Sequence, residues 1–145
     1  MGDNNDTEMN LNSGIAAFES KHFANAAQLL SPLADEGNAE AQYRIAVMHQ
    51  NALLGAQNLF LAVKYMRAAA EQGHAMAQHG LGFMYMEGEG VEKDGNKATE
   101  WFEKAAAQGL VGSLATLGMM YQEGNGVEQD EEKAKEYYRK AGFEM

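Results

Sequence analysis

The stretch AMAQHGLGFMYMEGEGVEKDGNKATEWFEKAAAQGL, residues Ala75–Leu110, decides the fold, because the chain repeats it immediately afterwards. A shift of 36 residues pairs Leu81 with Leu117 and Gly82 with Gly118. The shift also pairs these identical residues: Met84 with Met120, Tyr85 with Tyr121, Gly88 with Gly124, Gly90 with Gly126, Val91 with Val127, Asp94 with Asp130, Lys97 with Lys133, and Ala98 with Ala134. A fixed period of roughly 20–50 residues indicates a protein built of stacked, similar units.

Each repeat has the pattern of two helices joined by a glycine-rich loop. Leu81 and Tyr85 are one turn apart on the same side of the first helix. Gly82 would cost roughly 1 kcal/mol relative to alanine inside a helix, so we expect a neighbouring helix to approach too closely for a side chain. Gly88 is suited to the left-handed conformation that ends a helix, and Asp94 is suited to the N-cap of the second helix.

These residues resemble the Sel-one-like repeat family, which is related to the tetratricopeptide repeats. The shared pattern is Leu-Gly-x-x-Tyr-x-x-Gly-x-Gly-Val-x-x-Asp-x-x-Lys-Ala-x-x-Trp/Tyr-x-x-Lys-Ala, which is closest over residues 75–142, fair over 39–74 and weak over 10–37. The resemblance implies an all-α fold, a right-handed superhelix of about four antiparallel helix pairs, three of them of this type. Members of the family act mostly as adaptors for other proteins, and the pattern brings no shared catalytic site.

The repeat period predicts one domain, residues 10–145, after a flexible tail of residues 1–9. Its four repeats span about residues 10–38, 39–74, 75–110 and 111–145. The predicted helices are Asn10–Ser20, Phe23–Asp35, Ala39–Gln50, Leu59–Gln72, Ala75–Glu87, Asn96–Gln108, Val111–Glu123 and Glu131–Ala141. Pro32 lies inside the second helix, so we expect a kink or an early break near Leu30, because proline has no amide hydrogen.

The charge balance limits the class of partner. The formal net charge is −10 and the isoelectric point is about 4.8. Nucleic acids and acidic membrane surfaces require clustered lysine and arginine, so neither is expected to bind. A protein or peptide partner of basic or neutral character fits the charge better. The polar outer face of the last predicted helix favours a monomer.

The compartment is left open by the sequence. There is no cysteine and therefore no disulfide framework. No apolar run approaches the ~18 residues of a membrane span, and the start Met1–Asp6 lacks the basic and apolar regions of a signal peptide. The sequence predicts a soluble protein, cytoplasmic as written, or periplasmic or secreted if a signal peptide has been removed.

A loop in the second repeat departs from the pattern. Ala52-Leu53-Leu54-Gly55 stands where the later repeats have Gly-x-Gly-Val, and Asn58 replaces the capping aspartate. Two interpretations remain open for Leu53 and Leu54. They pack under the adjacent repeat, or they form the edge of a binding surface.

The search for catalytic and cofactor motifs favours a protein that is not an enzyme. His74 and His79 have the wrong spacing for one helical face, and Gly88-x-Gly90 lacks the third glycine of a dinucleotide loop. No Ser-x-x-Lys or Gly-x-Ser-x-Gly motif occurs. His49 replaces the repeat tyrosine and is expected to be a packed or half-buried ring. We predict no cofactor and no metal, and keep a cell-wall- or antibiotic-related hydrolase or binding protein as the alternative function.

The methionines of the repeat allow two interpretations. Met48, Met84 and Met120 share one repeat position. A row of methionines beside leucine and tyrosine is much more often core packing than a copper site, and no cysteine or histidine pair favours the metal. The sequence therefore predicts that these side chains are buried.

The resemblance to tetratricopeptide repeats places the first helix of each pair on a concave face. The positions expected to be exposed there are Tyr43, Val47 and Gln50 in the second repeat, His79, Phe83, Met86 and Glu87 in the third, and Met119, Gln122 and Glu123 in the fourth. Val47, Phe83 and Met119 would form an apolar row, with Leu53 and Leu54 as further loop contacts. These residues either pack against the next helix or bind a peptide or protein segment, with the glutamates attracting a basic partner.

Overall fold

The computed structural model describes residues 4–143, and every regular element in this range is an α-helix. The helices are α1 Asn4–Glu19, α2 Phe23–Asp35, α3 Ala39–Gln50, α4 Leu59–Glu71, α5 Ala75–Glu87, α6 Gly95–Ala107, α7 Val111–Glu123 and α8 Glu131–Lys140. The predicted all-α fold is therefore confirmed. The predicted ends of α3 to α8 agree with the structure within one residue.

The helices pack as consecutive pairs: α1 with α2, α3 with α4, α5 with α6, and α7 with α8. The chain divides into an N-terminal unit, Met1–His74, and a C-terminal unit, Ala75–Met145. Within the N-terminal unit α2 also packs on α3, and within the C-terminal unit α6 packs on α7. Each unit thus contains two helix pairs joined through their inner helices.

One sequence-based helix start was wrong, and the early break expected near Leu30 does not occur. α1 begins at Asn4 and not at Asn10, so residues 4–9, assigned to the flexible tail, are helical, whereas residues 1–3 lie outside the described range. Residues 4–10 carry little apolar periodicity, but Leu11 and Phe18 pack on the core, and a helix that has been nucleated extends at low cost. α2 continues through Pro32 to Asp35. Proline there removes a single hydrogen bond near the end of the helix, while Leu33 is buried.

One part of the core of the N-terminal unit lies between α2 and α3. It contains Ala26, Leu30, Leu33, Ala34, Ala41, Ile45 and Met48, each at most 5% exposed. The two leucines of the unusual loop differ from each other. Leu53 packs against this core, whereas Leu54 is 38% exposed.

Two glycines of the C-terminal unit lie where the repeat sequence predicted close contact between helices. A Cβ atom on Gly82 would lie 2.9 Å from Cδ1 of Phe102, and a Cβ atom on Gly118 would lie 2.9 Å from Cδ1 of Tyr138. Phe102 is fully buried. The helical glycines therefore allow the aromatic rings of the second helices to pack directly on the backbone of the first helices.

The loop between paired helices keeps the same hydrogen bonds even where its sequence changes. The amide groups of Asn58, Asp94 and Asp130 donate to the carbonyl groups of His49, Tyr85 and Tyr121 at 3.0, 3.0 and 2.9 Å, in that order. Each of these three residues then caps the following helix through its side chain. The predicted N-cap role of the repeat aspartate is confirmed, and Asn58 performs the same role.

Ala52 occupies the left-handed position that glycine holds in the later repeats. Its φ is 58°, compared with 70° for Gly88 and 67° for Gly124. Left-handed backbone costs a residue with a Cβ atom roughly 1–2 kcal/mol. Ala52→Gly is therefore expected to raise the free energy of unfolding by about 0.5–1 kcal/mol, less than the strain it relieves because glycine also makes the unfolded chain more flexible.

The matched control for this prediction is Ala56→Gly, an exposed alanine of the same loop whose φ is not positive. It has no strain to relieve and should leave stability unchanged or lower it. Urea denaturation followed by circular dichroism compares the two variants. Equal effects of the two changes would contradict the assignment of strain to Ala52.

Candidate protein-binding surface

The first helix of each repeat presents one line of side chains spaced at i, i+7 and i+11, which falls on a single helical stripe. In α5 this line contains Met76, Phe83 and Glu87. In α7 it contains Gly112, Met119 and Glu123, and in the second repeat it contains Glu40 and Val47 of α3 and the C-cap residue Asn51. The repeats differ in how far the side chains at these equivalent positions are exposed to solvent.

α5 and α7 both pack on α6 in the C-terminal unit. Short loops connect both helices to α6, which packs on each of them, so α5 and α7 run in the same direction. Nδ1 of His79 in α5 is 2.8 Å from Oγ of Ser113 in α7. We refer to the two neighbouring lines, formed by Met76, Phe83, Glu87, Gly112, Met119 and Glu123, as the α5–α7 surface.

The α5–α7 surface is apolar along most of its length and acidic at one end. Met76 is 44% exposed and Phe83 is 39% exposed. Met119 is half-buried, and Glu87 and Glu123 are exposed. Apolar side chains of this size, grouped on one helix face, are suited to contact with another molecule.

His79 does not belong to this exposed line, contrary to the sequence-based expectation. Its ring is half-buried, hydrogen-bonded to the fully buried Ser113 and packed beside the ring of Phe102 with centroids 5.1 Å apart. Burial lowers the pKa of His79, which favours the neutral ring at neutral pH. His79 therefore joins α5 to α7 and is not available to a partner.

Met86 was also predicted to be exposed, and this prediction was wrong. Its side chain is only 4% exposed. Met86 lies seven residues after His79 and thus on the side of α5 that faces α7. The equivalent Gln122 of α7 is exposed, and its side-chain oxygen accepts a hydrogen bond from Tyr138 at 3.0 Å. One repeat position is therefore buried in α5 and exposed in α7.

In the N-terminal unit the corresponding stripe is occupied by contacts within the unit. Tyr43 stacks on His74 with ring centroids 4.9 Å apart. Glu40 accepts hydrogen bonds from Arg44 at 2.9 Å and pairs with Nε2 of His74 at 2.6 Å. Burial alone would raise the pKa of Glu40, but the bonds from His74 and Arg44 outweigh it and the pKa is lowered. The guanidinium of Arg44 also lies 4.8 Å above the ring of Phe18.

The remaining predicted residues of the N-terminal unit are also partly covered. Val47 and Gln50 are half-buried, and the carbonyl group of Gln50 accepts a hydrogen bond from Nε2 of Gln57 at 2.9 Å. Tyr43, in the middle of the charged cluster, is half-buried as well. The C-terminal unit therefore offers the more open and more apolar surface.

The methionines and the histidine that the sequence offered as candidates for metal binding are buried or half-buried. Met48, Met84 and Met120 are fully buried, which confirms that they are core residues. His49 is half-buried as predicted, and burial lowers its pKa. Among residues 4–143 no group of three or more histidine, aspartate or glutamate side chains is arranged to hold a metal ion.

Sequence reasoning missed several side-chain contacts that recur between repeats. Nε2 of Gln72 donates to Gln42 at 2.8 Å, and Nε2 of Gln108 donates to Gln78 at 2.9 Å. The motif lysine packs on the motif tyrosine, with Nζ of Lys97 5.5 Å from the ring centroid of Tyr85. These pairs are far apart in sequence, so helical periodicity alone gave no indication of them.

One residue of the surface could have been found from the sequence. Met76 precedes Phe83 by seven residues and shares its stripe, but the alignment on the Leu-Gly-x-x-Tyr motif began too late to include it. Gly112 of α7 occupies the equivalent place.

The fold and its recurring loop define a helix-pair repeat protein. Residues 39–74, 75–110 and 113–142 match the Sel1 repeat, and the chain belongs to the Sel1 repeat family. Proteins of this family are generally protein–protein interaction modules and typically have no enzymatic activity.

Solved structures of Sel1 repeat proteins are similar to this chain. The Escherichia coli protective antigen c5321, which has the SLR fold, is 37% identical with a TM-score of 0.74 over 79% of this chain and 25% of its own. A Sel1 repeat protein from Oxalobacter formigenes is 32% identical with a TM-score of 0.74 over 79% of this chain and 88% of its own. Helicobacter pylori cysteine rich protein B shares the fold at 23% identity, with a TM-score of 0.58 over 78% of this chain and 86% of its own.

This chain therefore spans a quarter of the length of the E. coli antigen and most of the length of the O. formigenes protein. No curated protein matches the sequence. Within residues 4–143, none of the helices combines the length and the apolar character needed to cross a membrane.

Proposed function

We propose that this protein is a non-enzymatic adaptor whose α5–α7 surface binds a segment of a partner protein. The observation that carries the proposal is the exposure of Phe83, at 39%, on the same stripe of α5 as Met76, which is 44% exposed. The equivalent stripe of α3 is occupied by its own hydrogen bonds and ring stacking. Exposed apolar residues on folded helices are suited to binding, because the helices lose little conformational freedom when a partner binds.

Phe83 is expected to contribute most of the binding energy. Full burial of a phenylalanine side chain contributes about 1.5–3 kcal/mol, and interface energy is concentrated in a few central residues with large apolar side chains. Met119 on the adjacent helix adds a flexible apolar contact that adapts to the shape of the partner. Loss of both side chains should therefore weaken binding far more than loss of apolar residues elsewhere on the surface.

The alternative of a cell-wall- or antibiotic-related hydrolase receives no support from the site. The six residues of the α5–α7 surface include no nucleophile. The hydroxyl of Thr116 in α7 donates to the carbonyl oxygen of Gly112 at 2.9 Å, and Ser113 is fully buried and bonded to His79. A general base must reach the proton that it removes, and the neutral His79 is directed at this buried hydroxyl.

The module is further proposed to act as a monomer with a partner of basic or neutral character. The outer side of α8 carries the exposed charged residues Lys135, Glu136 and Arg139, which disfavour burial against a second copy.

An affinity pull-down from extracts of the source organism tests the proposed surface. Phe83→Ala/Met119→Ala is expected to lower the recovery of partners by about tenfold or more, because two central apolar contacts are lost. Phe60→Ala is the matched control, since Phe60 is 78% exposed but lies in the N-terminal unit. Circular dichroism should show the same melting temperature for both variants. Unchanged recovery by the folded double variant would show that binding occurs elsewhere.

A further inference from the structure

We infer that the segment bound by the α5–α7 surface carries a lysine or arginine two positions from a bulky apolar residue, with the cation placed beside Glu87 and Glu123. This inference rests on the proposed function and specifies the chemistry of the partner. It follows from how charge is distributed along α5 and α7.

Charge on these two helices is restricted to one end. Neither α5 nor α7 contains a lysine or arginine, and their only acidic residues are Glu87 and Glu123, the last residue of each helix. The neighbouring His79 is kept neutral by burial, as its lowered pKa indicates. A cation bound at this end would therefore meet acidic side chains and no competing lysine or arginine of these two helices.

Both carboxylates are free to pair with a partner. Glu87 and Glu123 are exposed, and neither has an ion-pair partner among residues 4–143. In the second repeat the equivalent residue is the neutral Asn51, the C-cap of α3, whose side chain donates to the carbonyl group of Val47 at 3.0 Å. The acidic end is thus a property of the C-terminal unit.

The backbone reinforces the preference for a cation. The C-terminal end of a helix carries a partial negative charge, and Glu87 and Glu123 stand at two such ends. The helices run in the same direction, so both partial charges lie at the same end of the surface. The net charge of −10 adds a long-range attraction for positively charged segments.

The spacing between Phe83 and Glu87 determines the residue spacing expected in the partner segment. Phe83 and Glu87 are separated by four residues, about 6 Å along the helix axis. In an extended segment, residues two positions apart lie on the same side and are separated by about 6.7 Å. If an apolar residue of the partner contacts Phe83, a lysine or arginine two positions away would therefore lie beside Glu87.

Selection from a random short-peptide phage library tests this inference on the full chain. We compare the wild-type protein with Glu87→Gln/Glu123→Gln, which keeps size and hydrogen bonding but removes the charge, and with Phe83→Ser/Met119→Ser. Peptides enriched on the wild type are expected to contain the apolar residue and the cation two positions apart. Synthetic versions should bind the glutamine variant about threefold or more weakly, a difference that vanishes when citrulline replaces arginine.

The possible outcomes separate the inference from the proposed function. If peptides are enriched on the wild type and lost on Phe83→Ser/Met119→Ser but show no preference for cations, the surface is correct and the inference about the partner is wrong. If the wild type enriches no more peptide than Phe83→Ser/Met119→Ser, both are wrong. Equal affinity of the arginine and citrulline peptides for the wild type would also overturn the inference.

Discussion

Gly95→Ala is expected to destabilise the C-terminal unit by about 3 kcal/mol or more, because the added methyl group would clash with the backbone of the next repeat. A Cβ atom at Gly95 would overlap the carbonyl oxygen of Gly126 and lie 2.6 Å from Gly126 Cα. Gly126 has φ of 75° and belongs to the tight loop before α8, so its backbone has little freedom to move away. The clash is between backbone atoms, and no side-chain rotation relieves it.

The matched control is Gly112→Ala, a helical glycine of the same unit with no atom within 4 Å of the added Cβ. Alanine favours a helix over glycine by up to about 1 kcal/mol, so this change should be neutral or stabilising. Trp101 is the single tryptophan and lies in α6, so its fluorescence during urea denaturation reports on the C-terminal unit. Similar stabilities of the two variants would contradict the close packing between the repeats.

Phe102→Ala is expected to cost about 3–5 kcal/mol, because it empties the most buried aromatic position of the C-terminal unit. The ring of Phe102 is fully buried and lies against the backbone at Gly82. Gly82→Ala alone should cost about 1–3 kcal/mol by pressing on this ring. In the Phe102→Ala background the same glycine change should be neutral or stabilising by up to about 1 kcal/mol, since the clash is gone and helix propensity remains.

A double-mutant cycle measures this coupling from the urea denaturation of the four proteins. If Phe102→Ala prevents folding, Phe102→Leu provides a milder background with the same expected sign. Additive effects of the two changes would show that contact with this ring is not what requires glycine at position 82. Phe60→Ala serves as the control for phenylalanine loss and should cost little, because Phe60 is 78% exposed.

The fold could be predicted because several residues of the repeat pattern each meet one physical requirement of the two-helix unit. The positive φ of Gly88, the N-cap of Asp94 and the close approach at Gly82 were each expected from a single residue type and are each observed. Such requirements are local, so a pattern of residue types is enough to predict them. Leu53 shows the limit of this reasoning, since nothing in its sequence neighbours separates it from the exposed Leu54.

The candidate surface was predicted less well, because exposure depends on which helix covers each position. Met86 and Gln122 are equivalent in sequence, but one is buried and the other is exposed. The polar contacts that occupy the stripe of the N-terminal unit join residues such as Glu40 and His74, which are far apart in the chain. Periodicity places residues on a helix face but does not show what that face meets.

The central claim is that partner proteins contact the α5–α7 surface, and site-specific photo-crosslinking tests it most directly. A photoreactive phenylalanine analogue is placed at Phe83, and in a second protein at Phe60 as the matched exposed position of the N-terminal unit. Irradiation in extracts of the source organism is expected to yield a discrete crosslinked partner from position 83 and not from position 60. Crosslinks from position 60 with none from position 83 would contradict the account.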